Sequence, residues 1–341
     1  MRIFESVSSH HLLFAGALCL ALFAGDEPDE IVLGEGEHQW RWVSGWGGMP
    51  EGADYGNTHG SAAVDAAGNI YVNTDTEHAV VVLSPEGEYV RSFGGEQELA
   101  GGLHSMQLVS EGVGEESQEF LYMTHHARHE VVKTTLEGEV VWRLGYPEES
   151  GKYGGAGEYR PTGIAVRPDG GFYVADGYGK SWIHQYDAER NYLRSFGGPG
   201  SEPGQFRTPH GLWLDLDQFP PRLLIADREN HRVQVFTPEG EFVSAHPAEL
   251  RRPCGVARHG DLIAVPDLAG RVTILNAELE PLVHLGDQPD PDKRARNGIP
   301  FDQWRDGEFL SPHGLGWDSD GNLFVVDWNA KGRFTKLERV E

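Results

Sequence analysis

The stretch "TPHGLWLDLDQFPPRLLIADRENHRVQVFTPEGEFVSAH", residues 208–246, holds four strand-forming runs separated by turn residues. "GLWLD", "LLIAD", "RVQVF" and "EFVSAH" are rich in branched and aromatic side chains, as strands are. "TPEG" between the last two fits a hairpin turn. The unit therefore reads as a four-stranded antiparallel sheet.

The same unit recurs. Its second strand reappears as "NIYVNTD" (69–75), "FLYMTH" (120–125), "GFYVAD" (171–176), "LIAVPD" (262–267) and "NLFVVD" (322–327). The six closing positions are about 50 residues apart, a period that belongs to repeat architectures. "HAVVVLSPEGEYVRSFGG" and "WIHQYDAERNYLRSFGG" repeat the outer hairpin. Six four-stranded units predict an all-β, six-bladed β-propeller around a central channel. The last repeat ends on its third strand, "RFTKLERVE". Residues 38–46, "HQWRWVSGW", read as a fourth strand with no blade before them, so they are expected to complete blade six.

The totals agree. With 45 Gly and 20 Pro, turns and short strands are expected over long helices. A formal net charge of −25 excludes unaided nucleic-acid binding, which needs a basic patch. "LLFAGALCLALFA" (12–24) is too short for a stable membrane span and suits the apolar core of a signal peptide. Residues 1–30 are thus expected to be a signal peptide or a disordered segment. Residues 31–341 are expected to form a single propeller domain of a secreted or periplasmic, monomeric protein. Once Cys19 is removed, Cys254 has no partner, and stability rests on the core.

Aligning the start of each first strand gives six equivalent positions: Gly60, His104, Thr162, His210, Cys254 and His313. Innermost strands line the channel, so these six form a ring at one mouth. Histidines occupy alternate blades, a third of a turn apart. Three converging imidazoles with an open fourth position suit zinc in a catalytic setting. His59, one residue before Gly60, joins the ring only if its strand is bulged. "MTHHARHEVV" places His125, His126, Arg128 and His129 at a blade-two turn, either as a solvated polar turn or with Arg128 or His126 reaching the centre. "EGVGEESQE" (111–119) reads as an acidic surface hairpin. Residues 287–309 read as a loop over one face, a lid or an irregular connection.

The unit resembles the NHL repeat, most clearly at "ADRENHRVQVF" (226–236) with Asn230 and His231. More narrowly, "YRPTGIAVRPDGGFYVADGYGKSWIHQY" and "GQFRTPHGLWLDLDQFPPRLLIADRENHRVQVF" resemble the peptidyl-α-hydroxyglycine α-amidating lyases, the lyase domain of peptidylglycine α-amidating enzymes. That resemblance implies cleavage of a carbinolamide to an amide and glyoxylate, with a small-molecule or peptide substrate in the channel. It implies zinc on His104, His210 and His313, a catalytic Tyr178 and a substrate-contacting Arg228. Two positions depart from the family. Its blade-one arginine falls on or near Asp75. The Asp that follows its third zinc histidine, and helps bind calcium, is replaced by Gly314. A second reading keeps the NHL propeller without catalysis, as a binder of a peptide, a polysaccharide or a protein partner.

Overall fold

The computed structural model describes Met1 and residues 30–340. The expectations for residues 2–29 lie outside the described residues. From Val32 to Arg339 the chain forms six antiparallel sheets. The sheet of residues 208–246 has the order Pro209–Asp215, Arg222–Asp227, Arg232–Phe236, Phe242–His246. The second strand of each blade is almost wholly buried, as in "LLIA" at 223–226. It is sandwiched between neighbouring sheets, which is why it reads as a continuous apolar run and not as an alternation.

The innermost strands touch in the order one to six and back to one. They begin at Ala62, Leu103, Gly163, Pro209, Ala257 and Pro312. Six core clusters fill the wedges between blades. This arrangement is the expected six-bladed β-propeller.

Closure follows the expected route. His38–Val43 pairs with Arg333–Arg339, Trp40 opposite Arg339 and Trp42 opposite Leu337. Trp40 is fully buried, and its indole donates to the Gly321 carbonyl at 3.0 Å. Burying an aromatic of about 150–250 Å² stabilises by roughly 4–6 kcal/mol as an upper bound. A fifth strand, Val32–Glu35, adds to the same edge with Leu33 opposite Trp40. That strand was not foreseen, because four short residues with two glutamates nearby carry no strand pattern of their own.

The "HG" of the inner strands has a steric cause. A Cβ on Gly211 would stand 2.6 Å from the Gly255 Cα, and one on Gly314 would stand 2.0 Å from the Gly60 carbonyl oxygen. The inner strands approach so closely beside the ring that only glycine fits there.

Residues 287–309 are an irregular connection pinned at several points. Asn297 donates its side-chain amide to Asn57 of blade one and accepts from the Ala330 backbone at 2.8 Å. Residues 111–119 form the expected hairpin between Leu103–Glu111 and Gln118–His125.

Candidate metal centre

His104, His210 and His313 start the inner strands of blades two, four and six, and each is at most 3% exposed. The intervening blades supply carbonyls. His104 Nδ1 lies 2.6 Å from the Thr162 carbonyl and His210 Nδ1 2.6 Å from that of Cys254. The Gly60 carbonyl holds His313 in the same way. Each imidazole is thus tied to the ring position of the next blade. A carbonyl can only accept, so Nδ1 carries the proton and Nε2 presents its lone pair.

The ring centroids are 4.6, 4.7 and 4.9 Å apart. One donor atom from each histidine lies within 4.8 Å of the others, a geometry that fits a metal ion. Burial, as the largest cause, pulls all three imidazoles well below their ordinary pKa. They stay neutral, the state in which imidazole binds metal. Gly314 offers no carboxylate, and the Gly60 carbonyl leaves no room for one. Position 314 therefore supplies no side-chain ligand for the family's calcium.

Tyr178 and Arg228 come to this centre. Tyr178 Oη lies 3.2 Å from His104 Nε2 and 3.1 Å from His210 Nε2. Arg228 Nη1 donates to the same oxygen at 3.2 Å, with its guanidinium 5.3 Å from the phenol ring centre. Burial raises the Tyr178 pKa, and Arg228 opposes that rise without cancelling it. Arg228 is braced by Glu229 at 3.0 Å, which also takes Arg252. Asp176 positions the loop that carries Tyr178 by accepting from the Arg160 and Lys180 backbones at 2.7 and 2.6 Å.

The remaining candidates divide. Arg128 turns outward to Glu98 and Glu130. His125 is buried under the turn, where its Nδ1 accepts from the Arg128 backbone at 3.2 Å. His129 binds the Tyr159 carbonyl at 2.6 Å. His126 faces the centre, its ring 6.0 Å from His104 and 5.8 Å from Tyr178, but it is not part of the donor set. His59 is also outside the donor set, yet its ring sits 5.5 Å from His313 and 5.3 Å from Trp328. Its Nδ1 meets Asp75 Oδ2 at 3.0 Å, and Asn57 donates to the same oxygen at 3.1 Å. Sequence reasoning missed Trp328 and the His59–Asp75 pair. The signal was available: Trp328 follows the closing Asp327 of its strand as Arg228 follows Asp227. From the ring a cavity of about 310 Å³ runs along the inner strands past Met106, Trp213 and Trp317.

No family model matches the chain. Among curated proteins it is similar to peptidyl-alpha-hydroxyglycine alpha-amidating lyase 2 of Drosophila melanogaster. The identity is 32% over 179 residues, which is 49% of this chain and 39% of the relative. It is 31% identical to the peptidylglycine alpha-amidating monooxygenase of Rattus norvegicus over 198 residues, 53% of this chain and 19% of the relative. A second Drosophila melanogaster lyase, peptidyl-alpha-hydroxyglycine alpha-amidating lyase 1, is 27% identical over 241 residues, 64% of this chain and 42% of the relative. The chain spans less than half the length of each of these relatives. Among solved structures it resembles a streptogramin B lyase, with a TM-score of 0.58 and 15% identity over 84% of this chain and 95% of that one. A Staphylococcus aureus virginiamycin B lyase gives a TM-score of 0.57 and 12% identity over 88% and 99%. At these identities the two structures bear on the fold alone.

The chain is a six-bladed β-propeller with a buried three-histidine cluster in its channel. Its named homologues in sequence are amidating lyases and amidating monooxygenases.

Proposed function

We propose that this propeller is a zinc-dependent carbon–nitrogen lyase of the amidating-lyase type, acting on a carbinolamide outside the cytoplasm. The observation that carries the reading is a cluster of three neutral imidazoles, two of which lie within reach of a tyrosine hydroxyl that an arginine also holds. His104, His210 and His313 would hold the ion. Zinc bound there supplies Lewis-acid charge that makes a substrate hydroxyl easier to deprotonate.

The chain's own residues do the rest. Tyr178 acts in its phenolate form, which Arg228 stabilises, and becomes a neutral phenol on taking the proton of the carbinol hydroxyl. The carbinol C–O bond becomes a carbonyl as the C–N bond breaks. The electron pair of that bond goes to the amide nitrogen, which receives the proton from Tyr178. R–CO–NH–CH(OH)–COO⁻ thus gives R–CO–NH₂ and OHC–COO⁻ with atoms and charge in balance. Arg228 is also the cation that faces the carboxylate.

Two measurements test this. Purified protein is expected to hold one zinc per chain and to lose it when His104, His210 and His313 are all replaced by Ala. Glyoxylate release from α-hydroxyhippurate is expected for the wild type and strongly reduced in Tyr178→Phe. Unchanged metal content in the triple variant overturns the centre. Zinc without glyoxylate release overturns the lyase and leaves a metal-bearing binding propeller.

A further inference from the structure

The two sides of the histidine ring differ in how well their polar atoms are satisfied. Toward blades three and four, the Tyr178 hydroxyl accepts from Arg228 and lies within donating distance of His104 Nε2 and His210 Nε2. Toward blades six and one, among the described residues, His313 Nε2, Trp328 Nε1 and Asp75 Oδ1 are buried without a partner. The Thr58 and Ser311 hydroxyls, just before His59 and His313 in the chain, are orphaned too. Buried polar atoms are nearly always hydrogen-bonded, so orphans of both kinds in one wedge point to an occupant.

Trp328 and Asp75 flank the same imidazole. The His59 ring is 5.3 Å from the Trp328 ring, and its Nδ1 is 3.0 Å from Asp75 Oδ2. Oδ2 is taken by His59 and Asn57, which leaves Oδ1 as the free acceptor. Asn57 is held in turn by Asn297 of the long connection. The wedge therefore offers one indole N–H donor and one carboxylate acceptor on a fixed frame, beside the orphaned His313.

We infer that Asp75 and Trp328 form a subsite for the secondary amide of the ligand, with Trp328 donating to its carbonyl and Asp75 accepting its N–H. The choice of ligand rests on the amidating-lyase reading. A carboxylate on this side would face the Asp75 charge with the indole and the Thr58 and Ser311 hydroxyls, all neutral, as its unpartnered donors, whereas the Arg228 cation stands across the ring. The ligand thus lies across the centre, acid end toward blade four and amide toward blades six and one. Asp75 and Trp328 are specificity-determining residues, and they select an amide that keeps its hydrogen.

The test uses full-length, zinc-loaded protein and two uncleavable probes, hippurate and N-methylhippurate, with binding read by calorimetry. Wild type is expected to bind hippurate about tenfold or more tightly than N-methylhippurate, the scale of one buried acceptor left unpaired. In Asp75→Ala that ratio is expected to fall to about threefold or less, with zinc content unchanged. Trp328→Phe is expected to weaken both probes alike, since both keep the carbonyl. Equal binding of the probes by wild type, no binding of hippurate, or a ratio that persists in Asp75→Ala overturns the subsite. If Asp75→Ala does not fold, the wild-type ratio and Trp328→Phe still decide. Glyoxylate release with equal probe binding sinks this inference alone. A full probe ratio without glyoxylate release sinks the lyase reading and leaves the amide subsite standing.

Discussion

Blades two, four and six place imidazoles on the ring, whereas blades one, three and five place carbonyls there. The fold is six-fold, but the centre is three-fold, because each histidine needs the neighbouring blade to fix its tautomer. The alternation lets every second blade be a ligand and every other one its brace.

The alternation is broken most severely by removing one imidazole. His210→Ala is expected to lower zinc affinity by more than about 100-fold, beyond the 10–100-fold typical of outer-shell losses, measured by competition with a chelator. Tyr178 sits on a bracing blade, so Tyr178→Phe is expected to separate the two roles. Turnover should fall by about 10²–10⁴-fold while zinc content stays at the wild-type level.

Gly314→Ala tests the close approach of blades six and one. Its Cβ meets backbone and not a flexible side chain, so a loss of about 1–3 kcal/mol in a denaturant titration is expected. Weaker zinc binding should accompany it, because the Gly60 carbonyl that holds His313 is the atom displaced. An unchanged midpoint would show that the inner strands can slide apart.

Acid should act on the imidazole blades through the metal-free protein. His125 and His126 are pushed down to about 4 by burial, and the three ring histidines also lie well below 6.5. Between about pH 4 and 6.5 the unfolded chain binds protons that the folded chain refuses. Stability is therefore expected to fall as pH drops below about 6.5, read as a falling Tm of the metal-free protein. Above that pH these groups are neutral in both states and contribute no slope. The smallest effect belongs to Arg128→Ala, which removes an exposed pairing with Glu98 and Glu130. About 0–1 kcal/mol is expected, with zinc and turnover unchanged.

The blades were legible because each writes the same strands and turns, and the three ring histidines because aligned blades put them in one register. Tyr178 and Arg228 were reachable through resemblance and through their place just after a closing Asp. The turn at 125–129 was not resolved by spacing: His129 adopts a left-handed conformation, and that bend decides which side chains face inward. The wedge of Asp75, His59 and Trp328 joins residues some 250 positions apart, and no local pattern announces a contact made only when the ring closes. The opposition of Arg228 to the burial of Tyr178 was not legible either. How far burial outweighs it depends on walls supplied by other blades.

The closing strand has a consequence in time. His38–Val43 is made before the six inner strands and can form a hairpin with Val32–Glu35 at once, but its other partner, Arg333–Arg339, is made only after them. His313, the last ligand, is made only shortly before. Between the making of His210 and that of His313 the chain is an open arc with two of the three ring histidines and a bare edge, and a strand made early is among the last to dock.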